Sequence, residues 1–332
     1  MTPDHRLGRR AALAAALAAP PLLRPAAQPA PWSPERPVRW LVGYPAGGGT
    51  DVLARLLASG MARRLGQPVV VENRPGAATN IAAEAAARAE PDGHTVFTAG
   101  NETLVFNPAL YRSLPFDLDR DLRPLGLMAR FHLVLAARRD DAPAAARALL
   151  DRARAAPGRV DYGSPGVGSP HHLAMERLAR DAGGLRFNHV PYRGMAPVLN
   201  DLMAGTVEAA VVDVAAGGEA LRSGRVRPLA VLSAARHPAL PEVPTAEEAL
   251  GLPGFTAFAW QGLTAPARTP DAAAARLSAA LAETLAEPAA EARMREIGLE
   301  PISGGPEEYR ALIAAERAVY VPLIRALGLT LD

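Results

Sequence analysis

The chain contains no cysteine and no lysine among its 332 residues. Without cysteine it forms no disulfide and no thiolate metal site, it has no thiol nucleophile, and it carries no lipid anchor on an N-terminal cysteine. Without lysine it lacks the Gly-Lys-Ser/Thr ending of the Walker loop that binds nucleoside triphosphates. These two absences exclude several kinds of thiol, metal and nucleotide chemistry before any motif is considered.

A surplus of basic charge is also missing once the N-terminal residues are set aside. The whole chain has a formal charge of +2, but residues 1–30 hold four arginines and one acid. The remainder has 32 basic and 33 acidic groups, a net charge of −1. Such a chain has no electrostatic basis for binding nucleic acid, so we expect no nucleic-acid partner.

The first 30 residues have the pattern of an export signal. Arginines precede the apolar run 11–19, which is far too short to span a bilayer as a helix, and small residues at 26–30 offer a cleavage site. We therefore predict that residues 1–30 are removed and that the protein acts in the periplasm. The pair Arg9–Arg10 adds the twin-arginine route as one alternative, although the residues after it lack that route's bulkier pattern.

The stretch from Val42 to Asp51 joins a strand pattern, 38–42, to apolar residues at helical spacing, 52–58. Its three consecutive glycines, 47–49, carry no Cβ, so the backbone can take positive φ and a bound group can approach the N–H donors closely. Thr50 or Asp51 is the predicted N-cap, and the amides ahead of the helix carry the positive end of its dipole. The stretch is therefore predicted to bind an anion, most simply a carboxylate.

Other interpretations of this stretch are weaker or less specific. A dinucleotide fingerprint requires Gly-x-Gly-x-x-Gly, but the next glycine after Gly49 is Gly60, inside the helical pattern. A turn that binds nothing is the remaining alternative, because glycine turns between a strand and a helix are common.

Strand and helix patterns alternate along the whole chain, which predicts parallel α/β sheets. The third strand pattern, 95–99, is followed by Asn101 and Thr103. Ligands of parallel α/β sheets bind outside the carboxyl ends of the strands, so we expect these two residues on the same rim as the first glycine turn. A second glycine-rich turn, 163–170, repeats the arrangement, with Ser169 as the predicted N-cap of the next helix.

Two long apolar segments, 125–137 and 255–263, are predicted to cross between two domains. A chain of this length accommodates two domains of ordinary size. The predicted layout is an export signal at 1–30, a discontinuous first lobe made of 31–130 and 260–332, and a second lobe at 131–259.

Six short segments stand in an order that is typical of one protein family. They are Tyr44–Asp51 (YPAGGGTD), Gly66–Gly76 (GQPVVVENRPG), Pro91–Thr95 (PDGHT), Asn107–Tyr111 (NPALY), Val190–Gly194 (VPYRG) and Pro241–Thr245 (PEVPT). In these segments the chain resembles the periplasmic solute-binding proteins of tripartite tricarboxylate transporters, called the Bug or TctC-like family. The resemblance implies an α/β, two-lobed periplasmic-binding-protein fold of the type II kind, with two crossover strands and a small carboxylated ligand between the lobes.

The resemblance also implies site residues. In the family, backbone amides of the first glycine loop hold a ligand carboxylate, a role that falls here to Ala46, Gly47, Gly48 and Asp51. The Gly47 turn and the Gly168 turn are then expected to close together around the ligand by hinge motion.

Three positions in the implied cleft differ from the family's usual residues. Arg193 stands where lysine is common, and His171–His172 stands where a Ser-His pair is frequent. Asp213 keeps an acid near the cleft, but the residues after it are unusual. The identity of the acid stays open, with tricarboxylates, dicarboxylates, acidic amino acids and aromatic acids as alternatives.

Several of these side chains have an alternative role. His171 and His172 have only Glu176 as a further metal ligand on the same helix, so no metal site is predicted. Ser164 and Ser169 lack the Gly-x-Ser-x-Gly frame of a nucleophile, which favours capping or a ligand contact. Asp213 is interpreted as a general base, as an acceptor for a ligand hydroxyl or amine, or as a cap.

Two further side chains keep two interpretations each. Arg193 either pairs with a ligand carboxylate or stays exposed on a loop, and Tyr192 either stacks on the ligand or packs in the core.

Together these observations predict an extracytoplasmic solute-binding protein that is not an enzyme. It captures a small organic anion without a cofactor or metal, acts as a monomer, and delivers the anion to membrane subunits of a secondary transporter. The alternatives are a periplasmic hydrolase that uses Ser164 or Ser169 and a sensor that presents its ligand to a membrane receptor kinase. The predicted ligand-binding residues are Tyr44, Ala46, Gly47, Gly48, Asp51, Asn101, Thr103, Ser164, Gly168, Ser169, His171, Tyr192, Arg193 and Asp213.

Overall fold

The computed structural model describes residues 32–139 and 145–331, and the predicted export signal lies outside them. The described strands are β1 (Val38–Val42), β2 (Val69–Asn73), β3 (Thr95–Gly100), β4 (Leu122–Arg138), β5 (Asp161–Ser164), β6 (Asn188–Pro191), β7 (Ala209–Asp213), β8 (Val226–Val231), β9 (Phe258–Pro266) and β10 (Leu299–Pro301). The described α-helices are α1 (Gly49–Leu65), α2 (Asn80–Ala87), α3 (Asn107–Leu110), α4 (Leu118–Asp121), α5 (Ala146–Ala155), α6 (Pro170–Asp181), α7 (Met195–Ala204), α8 (Val214–Arg222), α9 (Ala246–Leu250), α10 (Asp271–Leu285), α11 (Pro288–Glu296) and α12 (Pro306–Leu327). Across these two ranges, no helix combines the length and apolar character needed to cross a bilayer.

The sheet of the first lobe is built around β1. This strand lies between β2 and β3 and pairs with both in parallel. β9 then pairs antiparallel with β3, and the first part of β4 pairs antiparallel with β9. Because β1, β2 and β3 run in the same direction, their carboxyl ends share one edge of the sheet, where the first glycine turn begins.

β4 is 17 residues long and passes from one sheet into the other. Its residues up to His132 pair with β9, whereas those from Leu133 onwards pair with β7 and β8. In this second part, alternate side chains enter two different cores: Leu133 belongs to one and Val134 to the other. This alternation is the period of a strand that is buried on both faces.

The two lobes contact each other directly. The core of the first lobe, which contains Phe97, Trp260 and Tyr309, also includes Leu173 from α6 of the second lobe. The fold is therefore a mixed α/β, two-lobed structure in which β4 and β9 are the two crossovers, as predicted. The residue limits of the lobes stay a prediction.

Helix ends decide which amides remain available, and one prediction about them was wrong. The N-cap of α1 is Gly48, not Thr50 or Asp51, and no side chain caps this helix. The α6 prediction is confirmed, because Ser169 Oγ accepts a hydrogen bond from His172 N and Pro170 is the first helical residue. Helix α10 begins at Asp271 after Pro270 and ends at Leu285.

Candidate functional site

The first glycine turn leaves backbone donors exposed at the start of α1. Residues 45–48 are exposed, and Gly47 has φ +83, a conformation that favours glycine. The N-cap Gly48 supplies no side chain, so the first amides of the helix have no side-chain acceptor. These amides carry the positive end of the helix dipole, and an anion is the ligand that such a group of donors binds.

The side chain of Asp51 holds the first glycine turn in place through hydrogen bonds. Its carboxylate is 3% exposed and accepts hydrogen bonds from Gly47 N at 2.9 Å, Asn73 Nδ2 at 2.8 Å and Arg55 Nε at 3.0 Å. Burial by itself would raise the pKa of Asp51, but the bonds from Arg55, Gly47 and Asn73 lower the pKa below its usual value. The predicted site residue Asp51 therefore shapes the turn through its side chain.

Tyr44 connects the turn to a buried acid that the sequence analysis did not single out. The Tyr44 hydroxyl donates to Glu102 Oε2 at 2.7 Å and accepts from Gln261 Nε2 at 3.4 Å. Glu102 is 9% exposed, and it begins the π-helical turn Glu102–Phe106 that follows β3. Burial raises the pKa of Glu102, and the hydrogen bond from Tyr44 and the charge of His171 partly offset that rise.

A strained segment lies beside the turn. Ala77, Ala78 and Thr79 have φ values of 45°, 49° and 75°, which side chains disfavour. The cost is about 1–2 kcal/mol for each residue. Buried polar groups hold this conformation: Ala78 O accepts from Asn107 Nδ2 at 2.6 Å, and the hydroxyls of Thr79 and Thr103 are 2.6 Å apart. Strain of this kind clusters at ligand sites, so we include 77–79 in the candidate site.

The two predicted residues after β3 lie close to these groups but are occupied by the protein itself. Asn101 is 1% exposed, and its side chain donates to Phe258 O at 3.0 Å. Thr103 is fully buried against Thr79. The side chains of both residues therefore bond to other segments of the protein at this edge of the sheet. The adjoining segment 77–79 is included in the candidate site because of its positive φ values, which cannot be read from the sequence.

The second glycine turn differs from the first because protein groups use its donors. Gly168 N donates to His172 Nδ1 at 3.0 Å, and Ser169 caps α6 through His172 N. Gly168 has φ +77, and a Cβ added there would lie 2.4 Å from Leu110 Cδ1 of the first lobe. This turn is thus a buried joint between the lobes.

Ser164 lies beneath the second turn and is fully buried. Its hydroxyl contacts His189 Nε2 at 2.7 Å and donates to Gly166 O at 3.0 Å. His189 stacks on His172 with the ring centroids 4.0 Å apart. Burial lowers the pKa of His189 to about 4, and burial together with His189 lowers the pKa of His172 to about 3. Ser164 therefore belongs to a buried, neutral network and is inaccessible to a substrate.

His171 and Asp213 form a pair at the starts of α6 and α8. His171 is the second residue of α6, and Asp213 is the N-cap of α8. His171 Nε2 lies 3.1 Å from Asp213 Oδ2, while Asp213 Oδ1 caps α8 by accepting from Ala216 N at 2.7 Å. The start of α8 approaches the first turn, since a Cβ added to Gly49 would lie 3.8 Å from Ala215 Cβ. Asp213 therefore caps α8 through one oxygen, and its second oxygen orients His171.

Tyr192 and Arg193 lie on the loop that follows β6. The Tyr192 hydroxyl donates to Asp201 Oδ2 of α7 at 2.7 Å, and burial followed by this bond raises the pKa of Tyr192 to about 12. Arg193 is exposed. A ligand contact for either residue stays a prediction.

Neither a metal site nor the groove beside α12 offers a competing site within the described residues. No group of three or more His, Asp or Glu side chains within 32–139 and 145–331 is arranged to hold a metal. An open groove of about 710 Å³ lies on the outside of the first lobe, between the loop 111–120 and α12. None of the predicted site residues lines this groove.

Comparison with known proteins decides between the remaining functional classes. The family model described as "Tripartite tricarboxylate transporter family receptor" matches residues 53–329. The chain belongs to this family. Its members are solute receptors of a transporter, so this chain is a receptor and not an enzyme. The matched residues begin just after Asp51, so the first glycine turn is supported by the geometry above and not by this match.

Relatives cover almost the whole receptor. The "UPF0065 protein in tcbD-tcbE intergenic region" of Pseudomonas sp. (strain P51) is 37% identical over 319 residues, which is 96% of this chain and 94% of the relative. A solved structure titled "R. palustris Rpa4515 with adipate" is 33% identical, with a TM-score of 0.82, and covers 90% of this chain and 99% of its own. "MatC (Rpa3494) from Rhodopseudomonas palustris with bound malate" is 31% identical, with a TM-score of 0.79 and coverages of 88% and 99%.

Proposed function

We propose that this receptor captures a small carboxylated organic anion between its lobes, with a ligand carboxylate held by the amides of the first glycine turn. The observation that carries the proposal is the uncapped start of α1, where Gly48 is exposed and Gly49 is half-buried. Adipate and malate, the ligands named in the two similar structures, are both organic acids with carboxylates at their ends. They support the same class of ligand here.

The energy of such a contact suffices for a receptor. Three or four charge-assisted hydrogen bonds to a desolvated carboxylate, each about 1.5–3 kcal/mol, contribute about 5–12 kcal/mol. After the costs of association and of ordering the hinge, micromolar affinity, about −8 kcal/mol, is within reach. Binding and release need no covalent step, which suits a protein that carries a solute.

The second lobe supplies a different wall of the site. Asp213, His171 and Ala215 lie at the starts of α6 and α8, and the Cβ of Ala215 would lie 3.8 Å from a Cβ added to Gly49 in the first turn. We infer that the start of α8 faces the first turn across the ligand. The donor of the Gly168 turn is used by His172, so this turn serves as the joint about which the lobes close.

We further propose that the receptor acts in the periplasm as a monomer and hands its acid to the membrane subunits of a tripartite tricarboxylate-type transporter. The predicted export signal and the family support this proposal. We also propose that the twin-arginine route exports the receptor. Detection of the mature protein in the periplasmic fraction of a strain that lacks the twin-arginine translocase would contradict that route.

The decisive test is a Gly48→Val substitution. Gly48 has φ −75, and an added Cβ would meet only Pro45 O, at 3.5 Å, so the fold should persist. The side chain would instead obstruct access to the amides. We expect the affinity for the best-bound acid to fall at least tenfold in calorimetry, which corresponds to about 1.4 kcal/mol.

The matched control is Gly305→Val. Gly305 is also an N-cap glycine with φ −75 and no side-chain cap, and it precedes α12 outside the proposed site. Its substitution should leave affinity unchanged. Equal affinities for wild type and Gly48→Val would count against the site, whatever the control shows.

The acid itself is found by a thermal-shift screen of tricarboxylates, dicarboxylates, acidic amino acids and aromatic acids. At a ligand concentration one hundred times Kd, binding stabilises the folded state by about 2.7 kcal/mol, which is easily measured. No stabilisation by any member of the panel would contradict the proposed function.

A further inference from the structure

Glu102 is a buried acid near the proposed site that interacts with residues of both lobes. It follows β3 in the first lobe, and Tyr44, three residues before Gly47, donates to its Oε2 at 2.7 Å. From the second lobe, His171 interacts with it electrostatically. Glu102 is thus nine-tenths buried beside the turn that we propose holds the ligand carboxylate.

Two acceptors near this position lack a donor. In residues 32–139 and 145–331, Glu102 Oε2 is bonded to Tyr44, but no hydrogen bond is made by Glu102 Oε1. His171 uses Nε2 towards Asp213, and its Nδ1 is buried with no partner in the same residues. When His171 donates its Nε2 proton to Asp213, Nδ1 has only a lone pair to offer. In this tautomer the buried Nδ1 of His171 lacks a donor within the described residues, and Glu102 Oε1 keeps the capacity to accept one.

The charge around Glu102 favours a donor over another carboxylate. Its charged and titratable neighbours are Tyr44 and Tyr111 from the first lobe and His171 from the second, with Asp213 behind His171. None of these is a permanent cation. Burial raises the pKa of Glu102, and a hydroxyl or ammonium donor placed against it would favour its ionised form, whereas a second carboxylate would oppose that form.

The position of the acid complements the first turn. Uncapped donors lie at the exposed Gly48 and the half-buried Gly49, and acceptors lie at Glu102 and His171. Tyr44 connects the turn to Glu102. A ligand that satisfies both sets has a carboxylate at one place and a hydrogen-bond donor close to it. A plain dicarboxylic acid satisfies only the first set.

We propose that Glu102 selects acids that carry a hydroxyl or ammonium group next to the carboxylate held by the first turn. This inference rests on the proposed function and narrows its class of substrate. The unmet acceptors at Glu102 Oε1 and His171 Nδ1 carry it. Glu102 is a specificity-determining residue in this scheme, and the turn amides provide the common affinity for carboxylates.

The test compares acids that differ at one carbon atom. Calorimetry at pH 7.5 uses succinate, malate and aspartate as a four-carbon series and adipate with 2-aminoadipate as a six-carbon pair. In whichever length binds, we expect the ammonium compound to bind at least tenfold more tightly than the unsubstituted acid, with malate between the other two compounds in the four-carbon series. Tighter binding of the hydroxyl compound than of the ammonium compound would instead identify a hydroxyl as the preferred donor.

A Glu102→Gln variant then assigns the preference to this residue. Glutamine keeps an oxygen that accepts from Tyr44 but removes the negative charge, so the preference should fall to about threefold or less while the unsubstituted acid still binds. The control is Glu176→Gln, which changes the same kind of pair, since Tyr162 donates to Glu176 Oε1 at 2.6 Å within the second lobe. That control should keep the full preference.

The outcomes separate this inference from the function on which it rests. If an unsubstituted acid binds as well as its hydroxyl and ammonium counterparts, or if Glu102→Gln retains the wild-type preference, the role of Glu102 is overturned while the receptor function stands. If no acid of either length binds, and the wider panel also fails, the proposed function and this inference fall together.

Discussion

The two glycine-rich turns of this receptor have the same local plan and opposite surroundings. Each follows a parallel strand, contains a glycine with positive φ, and leads into a helix. At the first turn, residues 45–48 are exposed and no side chain caps α1. At the second turn, Gly168 and Ser169 are buried, and the cap and the free amide are both taken by protein groups.

The difference shows that a glycine turn is not a binding site by its sequence alone. At the second turn, His172 supplies an acceptor for Gly168 N and a donor for Ser169 Oγ, so the turn is satisfied internally. At the first turn, Asp51 takes only Gly47 N and leaves the following amides open. One side chain four residues after the glycine decides how many donors remain for a ligand in each case.

The largest expected effect comes from Gly168→Ala, which tests whether the second turn is a packed joint. The new Cβ would approach the buried Leu110 to 2.4 Å, and alanine is strained at φ +77. We expect a loss of about 2–4 kcal/mol in the free energy of unfolding, measured with urea. The matched change Gly48→Ala in the first turn should cost less than about 1 kcal/mol. Similar costs at both turns would remove the contrast.

Acid should act on the second turn first, through His172. Its pKa is lowered to about 3 by burial and by His189, against an ordinary 6.5, so the folded state disfavours the protonated ring. Stability is therefore complete above pH 6.5 and declines as pH falls from 6.5 towards 3, because the unfolded chain takes up the proton first. Between pH 7 and pH 4.5 this residue should cost about 2–3 kcal/mol.

His172→Gln checks this origin, since glutamine offers an oxygen to Gly168 N but does not titrate. Urea unfolding at pH 7 and pH 4.5 should show a smaller pH dependence in the variant than in wild type. An identical pH dependence in both proteins would mean that the histidine network does not set the acid sensitivity of the second turn.

The smallest expected effect is at the brace of the first turn, Asp51→Asn. Asparagine has one acceptor oxygen for the three donors that surround Asp51, so about 1–2 kcal/mol of stability should be lost at pH 7. The pKa of Asp51 is lowered, so its contribution is present above pH 3.8 and is lost as pH falls further. The difference between wild type and variant in urea unfolding should therefore shrink as the pH falls below 3.8.

Arg55→Gln is the control for the ion pair at this brace. The Arg55 side chain is 52% exposed, so its pairing with Asp51 should contribute no more than about 1 kcal/mol. A larger loss from Arg55→Gln than from Asp51→Asn would show that the ion pair, and not the hydrogen bonds to the turn, holds the brace.

Much of the fold could be predicted from local patterns. The crossover segments 125–137 and 255–263 were found because long apolar runs bounded by turns are typical of buried strands, and β4 and β9 occupy them. Ser169 and Pro170 have strong preferences for the first positions of a helix, and α6 begins there. Such preferences act within a few residues, so the sequence displays them.

The candidate site was less predictable for the same reason. Thr50 and Asp51 are good N-caps by residue type, but α1 begins earlier, because Asp51 is drawn into bonds with Asn73 and Arg55. Asn73 lies 22 residues away, and no local pattern announces that contact. Glu102 was missed in the same way, since its partners Tyr44 and His171 come from distant parts of the chain.

The sequence by itself determined the alternation of strands and helices, the two crossovers, the family and the chemical exclusions that follow from the missing cysteine and lysine. These depend on periodicity, composition and short-range preferences. Only the tertiary structure decided which glycine amides stay open and which are used, and which acid lies beside them. The physical reason is that a backbone donor is available or satisfied according to the group that folding places against it, and that group comes from elsewhere in the chain.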